Sequence, residues 1–170
     1  FRVQREGGNV CVHVVKVPAL CRERIDRFGK PIKSALLTSI GKHAARNAFL
    51  ARLLKRLHDE GRVVLAMADR LDCLASVRQL LLDMRVPDEA IGVLKGAVPE
   101  KARAQELAKR LVLCSYGLAE EGISKDEADT VVFATPRTRV EQTIGRAQRD
   151  CQGKRATQVY DVCDANEAFK

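Results

Sequence analysis

The chain has 170 residues and a mass of 18.8 kDa, the size of one ordinary domain. Apolar residues make up 46% and charged residues 31%, a globular balance that excludes a disordered polymer, and no apolar run nears the ~20 residues needed to cross a bilayer. Thirty Lys and Arg against twenty-two Asp and Glu leave a net charge of +8, which suits a polyanionic partner.

Residues 10–17 (VCVHVVKV) are densely β-branched and predict a buried strand. Residues 18–43, broken by Pro18, Gly29, Pro31 and Gly41, predict an irregular excursion with one short helix. From Ala44 to Glu60, the residues Phe49, Leu50, Leu53, Leu54 and Leu57 fall at helical spacing, and Gly61 closes that helix. VVLAM (63–67) predicts a second strand. Asp69 then offers an N-cap for a helix through Met84 that points Leu74, Val77, Leu81 and Met84 inward. IGVLKG (91–96) predicts a third strand ending on glycine, and 99–109 a charged helix opening at Pro99. LVLCSY (111–116) is the fourth predicted strand, 117–129 a polar connection and TVVFATP (130–136) the fifth strand. A helix over Arg137 to Gln148 and a sixth strand, TQVYDVCD (157–164), complete the pattern.

Strands that alternate with helices and carry apolar residues on both sides predict a parallel sheet covered on both faces, hence a doubly wound α/β domain. Ligands bind such sheets beyond the carboxyl ends of the strands. The segments after residues 67, 96, 116 and 136 are therefore where a site is expected. The basic residues are spread, with no block of five like charges, so a basic tail is excluded. Only five Phe and two Tyr offer stacking surfaces, so a nucleic acid is expected to bind mainly through its phosphates.

Six cysteines lie at 11, 21, 73, 114, 151 and 163, without a C-x-x-C pair or zinc spacing to His13, His43 or His58. They predict a reducing, intracellular setting, with Cys114 and Cys163 acting as small hydrophobes inside strands. The chain opens at Phe1 without a signal-peptide pattern, and we expect a piece of a longer protein. No G-x-x-x-x-G-K-[ST], G-x-G-x-x-G or G-x-S-x-G occurs; SIGKHAA (39–45) lacks the first glycine and the Ser/Thr for magnesium. HDEG (58–61) ends an amphipathic helix and reads as a solvated helix end.

The chemistry-bearing segment is VEQTIGRAQRD (140–150), which follows the fifth strand. Gln142, Arg146 and Arg149 are spaced i, i+4, i+7 and so share one helix face, while Val140, Ile144 and Ala147 lie mainly elsewhere. Two arginines one turn apart, with an amide beside them, make a fork for a multiply charged phosphate; Gly145 permits close approach. The alternative is a solvated charged face in which Arg146 pairs with Asp150.

This string resembles motif VI of superfamily 2 helicases, whose two arginines act as fingers on the ATP γ-phosphate. CSYGLAEEGISKDEADTVVFATPRTRVEQTIGRAQRD (114–150) is similar to motifs V and VI together, nearest in pattern to DEAD-like helicases of large DNA viruses and phages. GRVVLAMADRLDCL (61–74) resembles their motif IV region and IGVLKG (91–96) the following strand and turn. ARNAFLARLLKRL (45–57) resembles the entering helix and QVYDVCD (158–164) the closing strand. The resemblance covers about residues 45–164; residues 18–43 carry none of it and stand as an irregular or family-specific segment of the single domain 1–170.

The resemblance implies a RecA-like lobe with about six parallel strands and helices on both faces, the second of two such lobes. Gln142, Arg146 and Arg149 would be catalytic and face ATP; Glu121, Gly122 and Ser124 would border the nucleotide; Arg70, Gly96 and Ser115 would contact the nucleic-acid backbone. The family's Asp is Ser124 here and its Pro is Asp126, which leaves ribose recognition open. ATP and Mg2+ are expected in the full-length enzyme, held by an N-terminal lobe of the same chain that carries the P-loop and the acidic pair. The isolated domain is expected to be a monomer that binds no cofactor and does not hydrolyse ATP. The implied partners are DNA or RNA, without a membrane, in the cytoplasm or nucleus, including that of a virus-infected cell. Two other readings stay open: a nucleic-acid or protein binding module with dead nucleotide chemistry, favoured by Ser124, and an unrelated α/β enzyme acting on a small phosphorylated substrate.

Overall fold

A computed structural model describes residues 2–5, 8–96, 99–120, 125–137 and 154–169. The strands are β1 (Arg2–Arg5), β2 (Gly8–Val17), β3 (Val64–Ala68), β4 (Ile91–Leu94), β5 (Leu111–Ser115), β6 (Thr130–Phe133) and β7 (Thr157–Asp164). The helices are α1 (Lys33–Lys42), α2 (Ala44–Asp59), α3 (Leu71–Asp83), α4 (Glu100–Ala108) and α5 (Tyr116–Glu120). The sheet order is β1-β2-β7-β6-β3-β5-β4. From β2 to β4 every neighbouring pair is parallel, so the six predicted strands form the predicted parallel sheet.

Alternation along the strands sorts the core into two layers. Ala66 and Ala68, Leu111 and Leu113, Val132, and Val162 point to one face, where Leu50, Leu54 and Leu57 of α2 and Cys73, Leu74, Val77 and Leu81 of α3 cover them. Leu65 and Met67, Val112 and Cys114, Val131 and Phe133 point to the other, with Leu107 of α4 and Leu118 of α5. Helices thus cover both faces, as a buried parallel sheet requires. β4 is an edge strand whose backbone groups are occupied from α4. The Val93 N–H donates to Glu106 Oε2 at 2.8 Å, and Lys109 Nζ donates to the Ile91 carbonyl at 3.1 Å. Gly92 lets α4 lie that close, since a Cβ there would run into the Glu106 carbonyl. Burial pushes the Cys73 and Cys114 thiols up to about 11 and about 12, so both stay protonated and act as small hydrophobes.

Five expectations need correction. β1, a short strand antiparallel to β2 through Arg5↔Gly8, was not expected, because four residues with two arginines carry little apolar signal. Asp69 does not cap α3. Arg70 occupies that position without a side-chain cap; the Asp69 carboxylate, the group that would cap, turns to Arg70 Nε at 3.4 Å, and the Asp69 N–H donates to Thr135 Oγ1 at 2.9 Å. Pro99 is the N-cap residue rather than the first helical residue, its carbonyl accepting from the Arg103 N–H at 2.9 Å. The connection after β5 is not simply polar: it opens as α5, with Tyr116 and Leu118 buried, and Lys125, Ala128 and Asp129 are buried beyond it. Cys163 is only half-buried, because β7 puts it on the side opposite Val162 and Asp164.

The carboxyl end of the sheet is tied down by a buried ion pair. Arg46, in the first turn of α2, donates from Nε to Asp164 Oδ1 at 2.8 Å and from Nη2 to Asp164 Oδ2 at 2.7 Å. Asp164 ends β7, and the two side chains are 0% and 1% exposed.

Candidate functional site

The candidate site lies at the ends of the central strands. β3 is followed by α3 on one face and β5 by α5 on the other, so the chain leaves these two neighbouring strands in opposite directions. In open α/β sheets such a divergence marks the crevice beyond the carboxyl ends where ligands bind. Ala68 and Ser115 are paired across it in register, which sets Asp69–Arg70 and Tyr116 on its two banks. β6, on the far side of β3, contributes Thr135, Pro136 and Arg137.

The rim is wired internally. Tyr116 is buried, and its hydroxyl donates to the Thr135 carbonyl at 2.6 Å, joining the end of β5 to that of β6. Burial raises the Tyr116 phenol further above its ordinary value, so it stays a donor. The Arg137 guanidinium lies 4.8 Å from the Tyr116 ring centroid. Thr135 accepts from the Asp69 N–H, joining β6 to β3. Arg70 Nη2 donates to the Ser34 carbonyl at 3.1 Å, tying the rim to the start of α1. Tyr116→Phe removes the hydroxyl and leaves the Thr135 carbonyl unsatisfied, an expected cost of about 1–3 kcal/mol in urea unfolding. A change below about 0.3 kcal/mol would show that water replaces the hydroxyl there.

The three residues expected at a nucleic-acid backbone all lie on this rim. Ser115 ends β5 and is partly exposed. Arg70 is partly exposed beside Asp69, and its engagements leave N–H donors on the five-donor guanidinium. Gly96 lies two residues beyond β4, fully open, with φ +67°. Arg70 and Ser115 come together at the crevice; Gly96 lies farther along, past the edge strand. The nucleotide-facing candidates Glu121, Gly122, Ser124, Gln142, Arg146 and Arg149, and the predicted helix beyond Arg137, lie outside the described residues. Tyr116 and Thr135, which fix the rim, are legible in sequence only as members of strands. Among the described residues no three His, Cys, Asp or Glu side chains gather as a metal site. No described helix is long and apolar enough to cross a membrane.

No protein-family model matches the chain. A protein of Acanthamoeba polyphaga mimivirus, named as a candidate ATP-dependent RNA helicase, is 28% identical over 142 residues, covering 83% of this chain and 27% of that protein. Among solved structures, T4 UvsW superposes with a TM-score of 0.69 at 21% identity, over 91% of this chain and 32% of that one. E. coli DEAD-box protein SrmB, solved bound to the regulator of ribonuclease activity A, gives 0.57 at 9% identity, over 95% of this chain and 80% of its own. The C-terminal part of the Fun30 ATPase domain gives 0.55 at 14%, over 71% and 43%. At these identities the superpositions show a common fold. The chain spans about a quarter of the mimivirus relative's length and about a third of the UvsW chain.

Proposed function

From its kinship with the second RecA-like domain of superfamily 2 helicases of the viral type, we propose that this chain is the second motor lobe of an ATP-dependent nucleic-acid helicase or translocase. The carrying observation is the Q-x-x-G-R-x-x-R string at 142–149, which in sequence begins five residues after Arg137 in the segment that follows β6. The 170 residues contain no phosphate-cradling loop, so the triphosphate and its Mg2+ belong to a partner lobe. When bound there, the metal neutralises phosphate charge and orients the nucleotide. Arg146 and Arg149 reach across the cleft to the phosphates, Gln142 stands beside them, and Glu121, Gly122 and Ser124 border the nucleotide. Bridging by these arginines closes the cleft when ATP is bound and releases it after hydrolysis. Nucleic acid runs along Arg70, Ser115 and Gly96, held by its phosphates.

A second reading, a binding module with dead nucleotide chemistry, is favoured by Ser124 standing where the family has Asp. Turnover decides between them: the whole protein containing this chain should hydrolyse ATP faster when nucleic acid is added. Binding without turnover would leave the module. The backbone face has its own test. Arg70→Ala should reduce the slope of log affinity against log salt by about 1, by removing one phosphate contact. An unchanged slope would take Arg70 off that face.

A further inference from the structure

Residues 20–32 lie outside the segment whose sequence resembles the helicase motifs, and they form a hydrogen-bonded turn on the surface. The Asp26 carboxylate accepts the Phe28 N–H at 2.8 Å and the Lys30 N–H at 2.9 Å, while the Asp26 N–H donates to the Lys30 carbonyl at 2.8 Å. Gly29 takes the left-handed conformation that the tip needs, at φ +76°. Ile25 and Pro31 bridge across the stem, and the Ile32 N–H donates to the Arg24 carbonyl at 2.7 Å. The base is anchored to the end of the chain: Asn166 Nδ2 donates to the Cys21 carbonyl and the Ala168 N–H to Glu23 Oε1, both at 2.9 Å.

This turn displays what a soluble surface ordinarily hides. Four of the six exposed large hydrophobics among the described residues are here, with Phe28 71% and Ile25 66% exposed. Arg27 stacks on the Phe28 ring at 4.7 Å, and a ring that exposed keeps its other face open. Residues 20–33 carry five basic residues and two acids, Glu23 and Asp26, both of which accept backbone hydrogen bonds within the fold. The turn follows β2 at the carboxyl edge of the sheet, and Arg70 of the rim donates to Ser34, just past its stem.

We infer that residues 20–32 are a preformed nucleic-acid contact that stacks Phe28 on an unpaired base, with Arg27 and Lys30 against the neighbouring phosphates. This rests on the proposed nucleic-acid face and extends it beyond the segment of sequence resemblance. Charge selects the occupant: an excess of basic side chains around an open aromatic face fits an unpaired base on a polyanion, and aromatic–base stacking is tolerant of sequence.

The test uses the whole protein containing this chain and a fluorescein-labelled single strand of about 20 nucleotides, as DNA and as RNA. Phe28→Ala should weaken binding about ten-fold or more, by the same factor at about 50 and 200 mM salt, because stacking releases no counterions. Phe28→Trp should restore it. Arg70→Ala should instead change the salt slope. If the strand binds and Phe28→Ala leaves its affinity unchanged, as when the tip serves a protein partner, the stacking contact is overturned and the nucleic-acid reading stands. Failure of Phe28→Trp to rescue overturns it too. If the unaltered protein binds no strand, both fall.

Discussion

Asp164→Ala should cost the domain about 3–5 kcal/mol of stability, because it strands the Arg46 guanidinium without its carboxylate. Both side chains are closed off from water, so solvent cannot step in. The loss compares with a total of roughly 5–15 kcal/mol for a domain, so the urea midpoint should fall far. The pair itself is not an optimal arrangement. Arg46 Nη1 is buried without a partner, which subtracts from whatever the two good bonds contribute. The double variant Arg46→Met with Asp164→Leu should therefore recover most of the stability, since apolar side chains of similar volume remove the desolvation cost at both ends. What the pair contributes is position. It fixes the first turn of α2 at the end of β7, where Asn47 Nδ2 donates to the Gly41 carbonyl at 2.9 Å and so holds the end of α1. α1 in turn carries Ser34, the acceptor for Arg70. An Asp164→Ala variant that unfolds within about 1 kcal/mol of the unaltered protein would show that water reaches Arg46 after all.

Much of this arrangement is legible in sequence, for a definite reason. Strands such as VVLAM and TVVFATP are apolar on both sides, and only a sheet covered on both faces asks for that. Helix α2 announces itself because Leu50, Leu53, Leu54 and Leu57 must all reach one surface. Local signals fail where a tertiary partner takes a group over. Asp69 looks like a cap, but Thr135, 66 residues away, accepts its N–H, the helix starts one residue later and the Asp69 carboxylate turns to Arg70. Arg46 looks like a solvated helix residue until Asp164, 118 residues on, buries it. Lys125 sits in a polar stretch, yet its ammonium is buried, lowered in pKa first by desolvation, and donates to the Leu107 carbonyl. None of these contacts leaves a periodic trace. At the site the same division holds: the strand ends that locate Arg70 and Ser115 follow from hydrophobic pattern, while Tyr116 as the strut between two strand ends does not.

In the whole protein, Arg146→Ala or Arg149→Ala should slow ATP hydrolysis by about 10³–10⁵, the usual worth of an arginine finger, while nucleic-acid affinity stays within about two-fold. The factor corresponds to roughly 4–7 kcal/mol of transition-state stabilisation, far more than an exposed surface charge supplies. Lysine should not rescue either position: a point charge on a flexible stem cannot replace a planar fork directed at phosphate oxygens. The effect should fall on kcat more than on KM, because a group that meets charge developing during phosphoryl transfer contributes most in the transition state. Separation of the two activities follows from position. Arg70 stands at the start of α3, just after β3, and Ser115 ends β5, whereas the two arginines lie in the segment that follows β6, so removing a guanidinium there should leave the proposed phosphate contacts in place. Equal loss of hydrolysis and of nucleic-acid binding, in a variant whose unfolding is unchanged, would mean that the 142–149 string serves the nucleic acid rather than the nucleotide. Turnover above about a tenth of normal in both variants would mean that neither arginine is a finger at all.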